Sequence, residues 1–138
     1  MKRTMFGALT ILVLALVINI PVVNAQSKTR ADVPFAFTVS RTSLPAGTYT
    51  ISEVSGGDMQ VRNIQTNATV FVIAQREESL KQQNPRLVFH KYGERYFLAE
   101  AWSGSGTGIE FPAGKLEQEL RATVEDTSAP QEVMVAMR

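Results

Sequence analysis

The stretch RLVFHKYGERYFLAEAWS, residues Arg86 to Ser103, decides how this chain is read. Two apolar runs, Leu87-Val88-Phe89 and Tyr96-Phe97-Leu98-Ala99, flank Gly93. Both are rich in aromatic and branched residues, and a turn former stands between them, which is the pattern of a β-hairpin. Neither run alternates cleanly between apolar and polar. A strand that is apolar on both faces is covered on both faces, so the hairpin is predicted to be central to its sheet.

Two registers fit. With Gly93-Glu94 as a two-residue type II′ loop, Tyr92 pairs with Arg95 and Phe89 faces the same way as Leu98. With Lys91-Tyr92-Gly93 as a type I turn ending in a left-handed glycine, His90 pairs with Glu94. The second register puts Leu87, Phe89, Phe97, Ala99 and Ala101 on one purely apolar face. It leaves Val88, His90, Tyr96, Leu98, Glu100 and Trp102 on the other, and it is preferred for that segregation. A slip of one residue exchanges the faces, so the two registers present different surfaces.

Working outward, four short alternating segments precede the hairpin. Asp32 to Ser40 turns Val33, Phe35, Phe37 and Val39 to one side, with Pro34 confined to an edge or to a strand's first residue. Leu44-Pro45-Ala46-Gly47 is a turn. Thr48 to Val54 follows, with Tyr49 and Ile51 inward. Turns at Ser55–Asp58 and Gln65–Ala68 then separate strands at Met59–Ile64 and Thr69–Ala74. Turn clusters at this spacing predict an antiparallel meander. Gln75 to Pro85 is polar and reads as a surface loop with one helical turn at most.

Beyond the hairpin, Ser103 to Gly108 carries three alternate glycines. A phosphate cradle needs a strand before such a loop and a helix after it within a βαβ unit. Antiparallel neighbours make it a flexible connection instead. Leu116, Leu120 and Val124 recur every four residues, and Glu117 and Arg121 are spaced for an ion pair. This predicts a short amphipathic helix over about 113–124, capping an open end or face of the sheet. Residues 125–138 form a tail in which Val133 to Ala136 is either a last strand or loose.

The N-terminus reads as a targeting segment. Lys2 and Arg3 precede an apolar core from Phe6 to Ile20, broken by Pro21, and Val23-Asn24-Ala25 is a small-residue exit. This predicts a signal peptide over residues 1–25, cleaved after Ala25, and a periplasmic or extracellular destination of bacterial type. A retained membrane anchor is the alternative. Residues 26–31 are read as a mobile leader and 32–138 as one β domain. With 25 of 138 residues removed, 113 remain, enough for a modest core. The 14 basic residues fall to 12 against 13 acidic ones, so no charge excess favours nucleic acid or an anionic membrane surface. The chain has no cysteine, which excludes disulfides, a thiol nucleophile and thiolate metal sites.

Catalytic signals are thin. His90 is the one histidine, with no local nucleophile and carboxylate to complete a triad. One histidine is short supply for zinc, and Asp58 alone does not make a calcium loop. Glu77-Glu78 and Glu117/Glu119 read as solvated faces, although a carboxylate pair for glycosidic cleavage is a matter of fold and not of spacing. No enzyme activity, metal or cofactor is expected. His90, Tyr92, Tyr96, Glu100 and Trp102 are the candidate ligand- or partner-binding residues, because Tyr and Trp carry contact energy well. The competing reading places these aromatics in the core.

Three segments together carry a resemblance. Val33-Pro-Phe-Ala-Phe-Thr-Val39, Leu44-Pro-Ala-Gly-Thr-Tyr-Thr-Ile51 and Tyr96-Phe-Leu-Ala-Glu-Ala-Trp102 are followed by Gly114-Lys-Leu-Glu-Gln-Glu-Leu120. The chain resembles a group of small exported bacterial proteins of unknown function over most of its mature length. The Leu-Pro-Ala-Gly-Thr-Tyr segment also looks like the turn before a strand in prealbumin-like β-sandwich modules of cell-surface proteins. Neither likeness implies an activity, cofactor or catalytic residue.

The expectation is a mainly antiparallel β-sandwich or partly open β-barrel of six to eight strands with a short C-terminal helix. As a function, it is an exported, non-catalytic module binding a protein partner or cell-envelope component. The alternative is a carrier of a small apolar ligand in a β-barrel cavity, and a carboxylate-based hydrolase ranks third.

Overall fold

The computed structural model describes residues 29–81, 83–124 and 129–138. The signal peptide, its cleavage point at Ala25 and residues 26–28 lie outside the described residues. In chain order the elements are β1 (Thr29–Val33), β2 (Phe37–Val39), β3 (Thr42–Leu44), β4 (Gly47–Glu53), β5 (Asp58–Asn63) and β6 (Thr69–Ile73). They continue as β7 (Gln75–Glu78), β8 (Arg86–Tyr92), β9 (Arg95–Trp102), β10 (Thr107–Glu110), α1 (Lys115–Thr123) and β11 (Gln131–Ala136). One sheet runs β1-β4-β5-β6. The other runs β11-β8-β9-β10-β7, with the β2–β3 hairpin attached through β2 to β9. The two sheets face each other over one apolar core, so the fold is a sandwich and not a closed barrel.

The alternation Val33, Phe35, Phe37, Val39 holds, but it spans two strands. Pro34 cannot extend a ladder. β1 ends before it in the four-stranded sheet, and β2 begins after it in the other. All four side chains still reach the core across that switch. β1 itself starts at Thr29, inside the segment read as a mobile leader, because Thr29, Arg30 and Ala31 pair with Ile51, Thr50 and Tyr49. Gln75–Glu78, read as part of a loop, is an edge strand paired with β10. Its polarity is that of a strand at a sheet's rim, which no period-based reading separates from a loop. The glycine-rich connection is a tight turn, closed by the Ser103 amide donating to the Thr107 carbonyl at 3.0 Å.

The hairpin takes the register with the two-residue loop. Tyr92 pairs with Arg95, His90 with Phe97 and Phe89 with Leu98, and Gly93 has φ 60°. The preferred three-residue turn is therefore corrected: a positive φ at the first loop position followed by an ordinary residue is the type II′ arrangement. A β-bulge also redistributes the expected faces: Leu98 and Tyr96 join Leu87, Phe89 and Ala101 at the core, and Phe97 and Ala99 do not. The register shifts between Val88 and Phe89, leaving Ala99 as the extra residue on β9. Leu98 and Ala101, three residues apart, both belong to the core for that reason.

Aromatic rings organise this core. Phe89 is met edge-on by Phe35 at 5.1 Å and Phe37 at 5.2 Å between centroids, and Phe37 meets Tyr49 at 4.9 Å. Buried Asn63 at the end of β5 is satisfied by holding the next turn, accepting from the amides of Gln65 (2.9 Å) and Thr66 (3.0 Å). The seam between β1 and β11 is closed: β11 pairs with β8, and Arg30 and Arg138 exchange backbone bonds of 3.0 and 2.9 Å.

Candidate functional site

The five residues singled out in the sequence divide between the two faces of the hairpin. His90, Tyr92, Glu100 and Trp102 lie outside the core cluster, on the outer side of the larger sheet. Tyr96 does not join them: it packs against the core, stacked on Phe35 with centroids 3.8 Å apart. The two-residue loop sets Tyr96 opposite Lys91 and Leu98 opposite Phe89, on the core side, and the bulge at Ala99 returns Glu100 and Trp102 to the side of His90.

Helix α1 lies on that outer side, and it docks in the opposite sense to the prediction. Its buried residue is Glu117, 4% exposed, while Leu116 and Val124 of the apolar stripe are 40% and 45% exposed. The Glu117 carboxylate accepts from His90 Nδ1 at 2.9 Å and from the Tyr92 hydroxyl at 3.4 Å. Arg121, one turn on, donates through Nε to the Tyr92 hydroxyl at 3.3 Å and sits 3.5 Å from the same carboxylate. Tyr92 and, secondarily, Glu117 hold the Arg121 guanidinium above its ordinary pKa. By sequence, Glu117 reads as part of a solvated face. It is the polar anchor of the helix, and its one legible sign was the spacing to Arg121.

With the carboxylate accepting, His90 Nδ1 carries the hydrogen, and the ring is fixed as an aspartate fixes the histidine of a triad. The cavity beside it is about 80 Å³, bordered by Ala99, Glu100, Glu110, Phe111 and Ala113. No serine, threonine or cysteine borders it, so the dyad faces no hydroxyl or thiol nucleophile there. Carboxylates collect on this side. Glu100 accepts from the Trp102 indole at 2.7 Å, and a side-chain bond to Glu110 pushes the Glu77 carboxyl above its ordinary pKa. Among the described residues, no group of three or more His, Asp or Glu side chains is arranged to hold a metal ion.

A larger space opens at one end of the sandwich. A cleft of about 590 Å³ lies between the sheets, walled by Ile51 and Met59 from one and by Ala101, Ile109 and Met137 from the β9–β10–β11 side. Trp102 borders it. An ion pair between Arg76 and Glu53, 2.8 Å long and half exposed, spans the sheets at its mouth. The sequence reading did not single out Ile51, Met59, Ile109 or Arg76 for binding, because they come from four separate strands and meet only through the fold.

Comparison of the chain with protein-family models, with curated proteins and with solved structures finds no match.

Proposed function

We propose that this protein is an exported, non-catalytic β-module that binds a small apolar molecule in the cleft between its sheets. The observation that carries this reading is the cleft itself. Its volume of about 590 Å³ falls in the range of ligand sites, roughly 300–1,000 Å³. Its lining is mixed: Ile51, Met59, Ile109 and Met137 supply apolar wall, and Ser52, Ser103, Thr107 and the Arg76–Glu53 pair supply polar groups, which suits a molecule with an apolar body and polar substituents. The outer face beneath α1 is less suited to a ligand: His90, Tyr92, Glu117 and Arg121 already satisfy one another. This ranks the carrier above the protein- or envelope-binding module that the sequence alone put first, and the targeting segment and the exported proteins it resembles support export in either case.

Native mass spectrometry of the protein purified from its host, before and after mild denaturation, tests the proposal. The expected result is a small molecule retained by the folded chain and lost on unfolding. Ile109→Arg is expected to abolish retention, and His90→Ala to leave it intact. A bare chain, or one carrying only a protein partner, overturns the carrier reading and returns attention to the outer face.

A further inference from the structure

Strand β6 is an open edge of the four-stranded sheet, since it pairs with β5 and with nothing on its other side among the described residues. Exposed strand edges invite pairing, and proteins blunt them with charge, proline, bulges or cover. The other edges here carry such devices. β1 is bridged to the β11 side at Ala31 and Met137, β3 has three residues, and β7 reads Gln75-Arg-Glu-Glu78. β6 has none: Thr69-Val70-Phe71-Val72-Ile73 is uncharged, free of proline and regular in register. Val70 and Val72 point into the sandwich, whereas Phe71 is 62% and Ile73 78% exposed.

The strand is also nearly palindromic about Phe71. Laid antiparallel against its own copy, it sets Phe71 against Phe71, Val70 against Val72 and Thr69 against Ile73. Every cross-strand pair is aromatic or β-branched, the combinations that stabilise antiparallel pairs. The backbone agrees. The Asn63 amide donates to Ala68 in the same register, so the alternating ladder turns the amides of Thr69, Phe71 and Ile73 to the open edge. The flanking charges agree too. Arg62 stands beside Thr69 and Asp58 beside Ile73, so the two outermost rows across the junction each run from a cation on one copy to an anion on the other.

We infer that β6 is a homodimer interface: two copies pair β6 to β6 antiparallel about a two-fold axis at Phe71, joining the small sheets into one eight-stranded sheet. The contact is isologous and closes at two copies.

Size-exclusion chromatography with light scattering, across a dilution series of the purified protein, reads the assembly. A reversible dimer is expected. Phe71→Lys, which sets like charges opposite each other at the axis, is expected to weaken it by roughly tenfold or more, with circular dichroism unchanged. Phe71→Cys guards against misreading a folding defect. The chain has no other cysteine, and facing residues in a hydrogen-bonded pair lie about 5.5 Å apart, within disulfide range. Oxidation should then give a covalent dimer, whereas Gln60→Cys, one strand further in on each copy, should not cross-link. A protein that stays monomeric at every soluble concentration overturns the inference. So does a dimer unaffected by Phe71→Lys, or open-ended assembly beyond two copies.

Discussion

Phe89 and His90 are neighbours in the chain, and they hold the two faces of the same strand in different ways. Phe89 is fully buried and held by shape alone, with Phe35 and Phe37 edge-on against its ring. His90 is held by direction, through one hydrogen bond to a carboxylate on a helix twenty-seven residues away. The inner face tolerates no loss of volume. The outer face buries Val88, Phe97 and Trp102 as well, and in addition depends on each polar partner being present. The larger sheet is thus covered twice, once by apolar packing and once by a polar latch.

The comparison can be broken most forcefully from inside. Phe89→Ala leaves a cavity between both sheets and is expected to cost about 3–5 kcal/mol by chemical denaturation. A loss under about 1 kcal/mol would mean that the aromatic cluster does not organise the core. Glu117→Ala comes next. It strips the acceptor from His90 and Tyr92 and is expected to cost about 1–3 kcal/mol. A double-mutant cycle with His90→Ala sharpens this: coupling is expected between the two, and strict additivity would show that the helix is held otherwise. The smallest effect concerns Glu77. Its raised pKa means that ionising it disfavours the folded state near neutral pH, and that this penalty disappears as the pH falls through the folded-state value. Glu110→Gln is therefore expected to raise the melting temperature slightly at neutral pH and to have no effect in acid. An equal gain at both pH values would sever the link to that carboxyl pair.

Much of the fold was legible because it is local. Val33, Phe35, Phe37 and Val39 alternate as a buried strand face should, and Gly93 marks the hairpin. The crossing between sheets at Pro34 was not legible, since both halves obey the same alternation. The helix was found, but its buried side was misread. Leu116, Leu120 and Val124 make a narrow apolar stripe, and the surface beneath the helix offers His90 and Tyr92, for which a carboxylate is the better complement. Tyr96 was placed on the wrong face by a choice of one residue in loop length. The cleft is assembled from residues distant in sequence, and no local pattern announces it.

The bonds that tie Arg30 to Arg138, with the added ion pair from Arg138 to Asp32 across 106 residues, also set a timetable. A ribosome delivers β1 early and β11 late. Until β11 emerges, the free side of β1 and the rim of β8 have no partner, and the sandwich stays open along one seam. Contacts this distant slow folding, because the loop must close before the contact is rewarded. Closure of the sandwich therefore waits on the element delivered last, and β1 and β8 stay without that partner until it arrives.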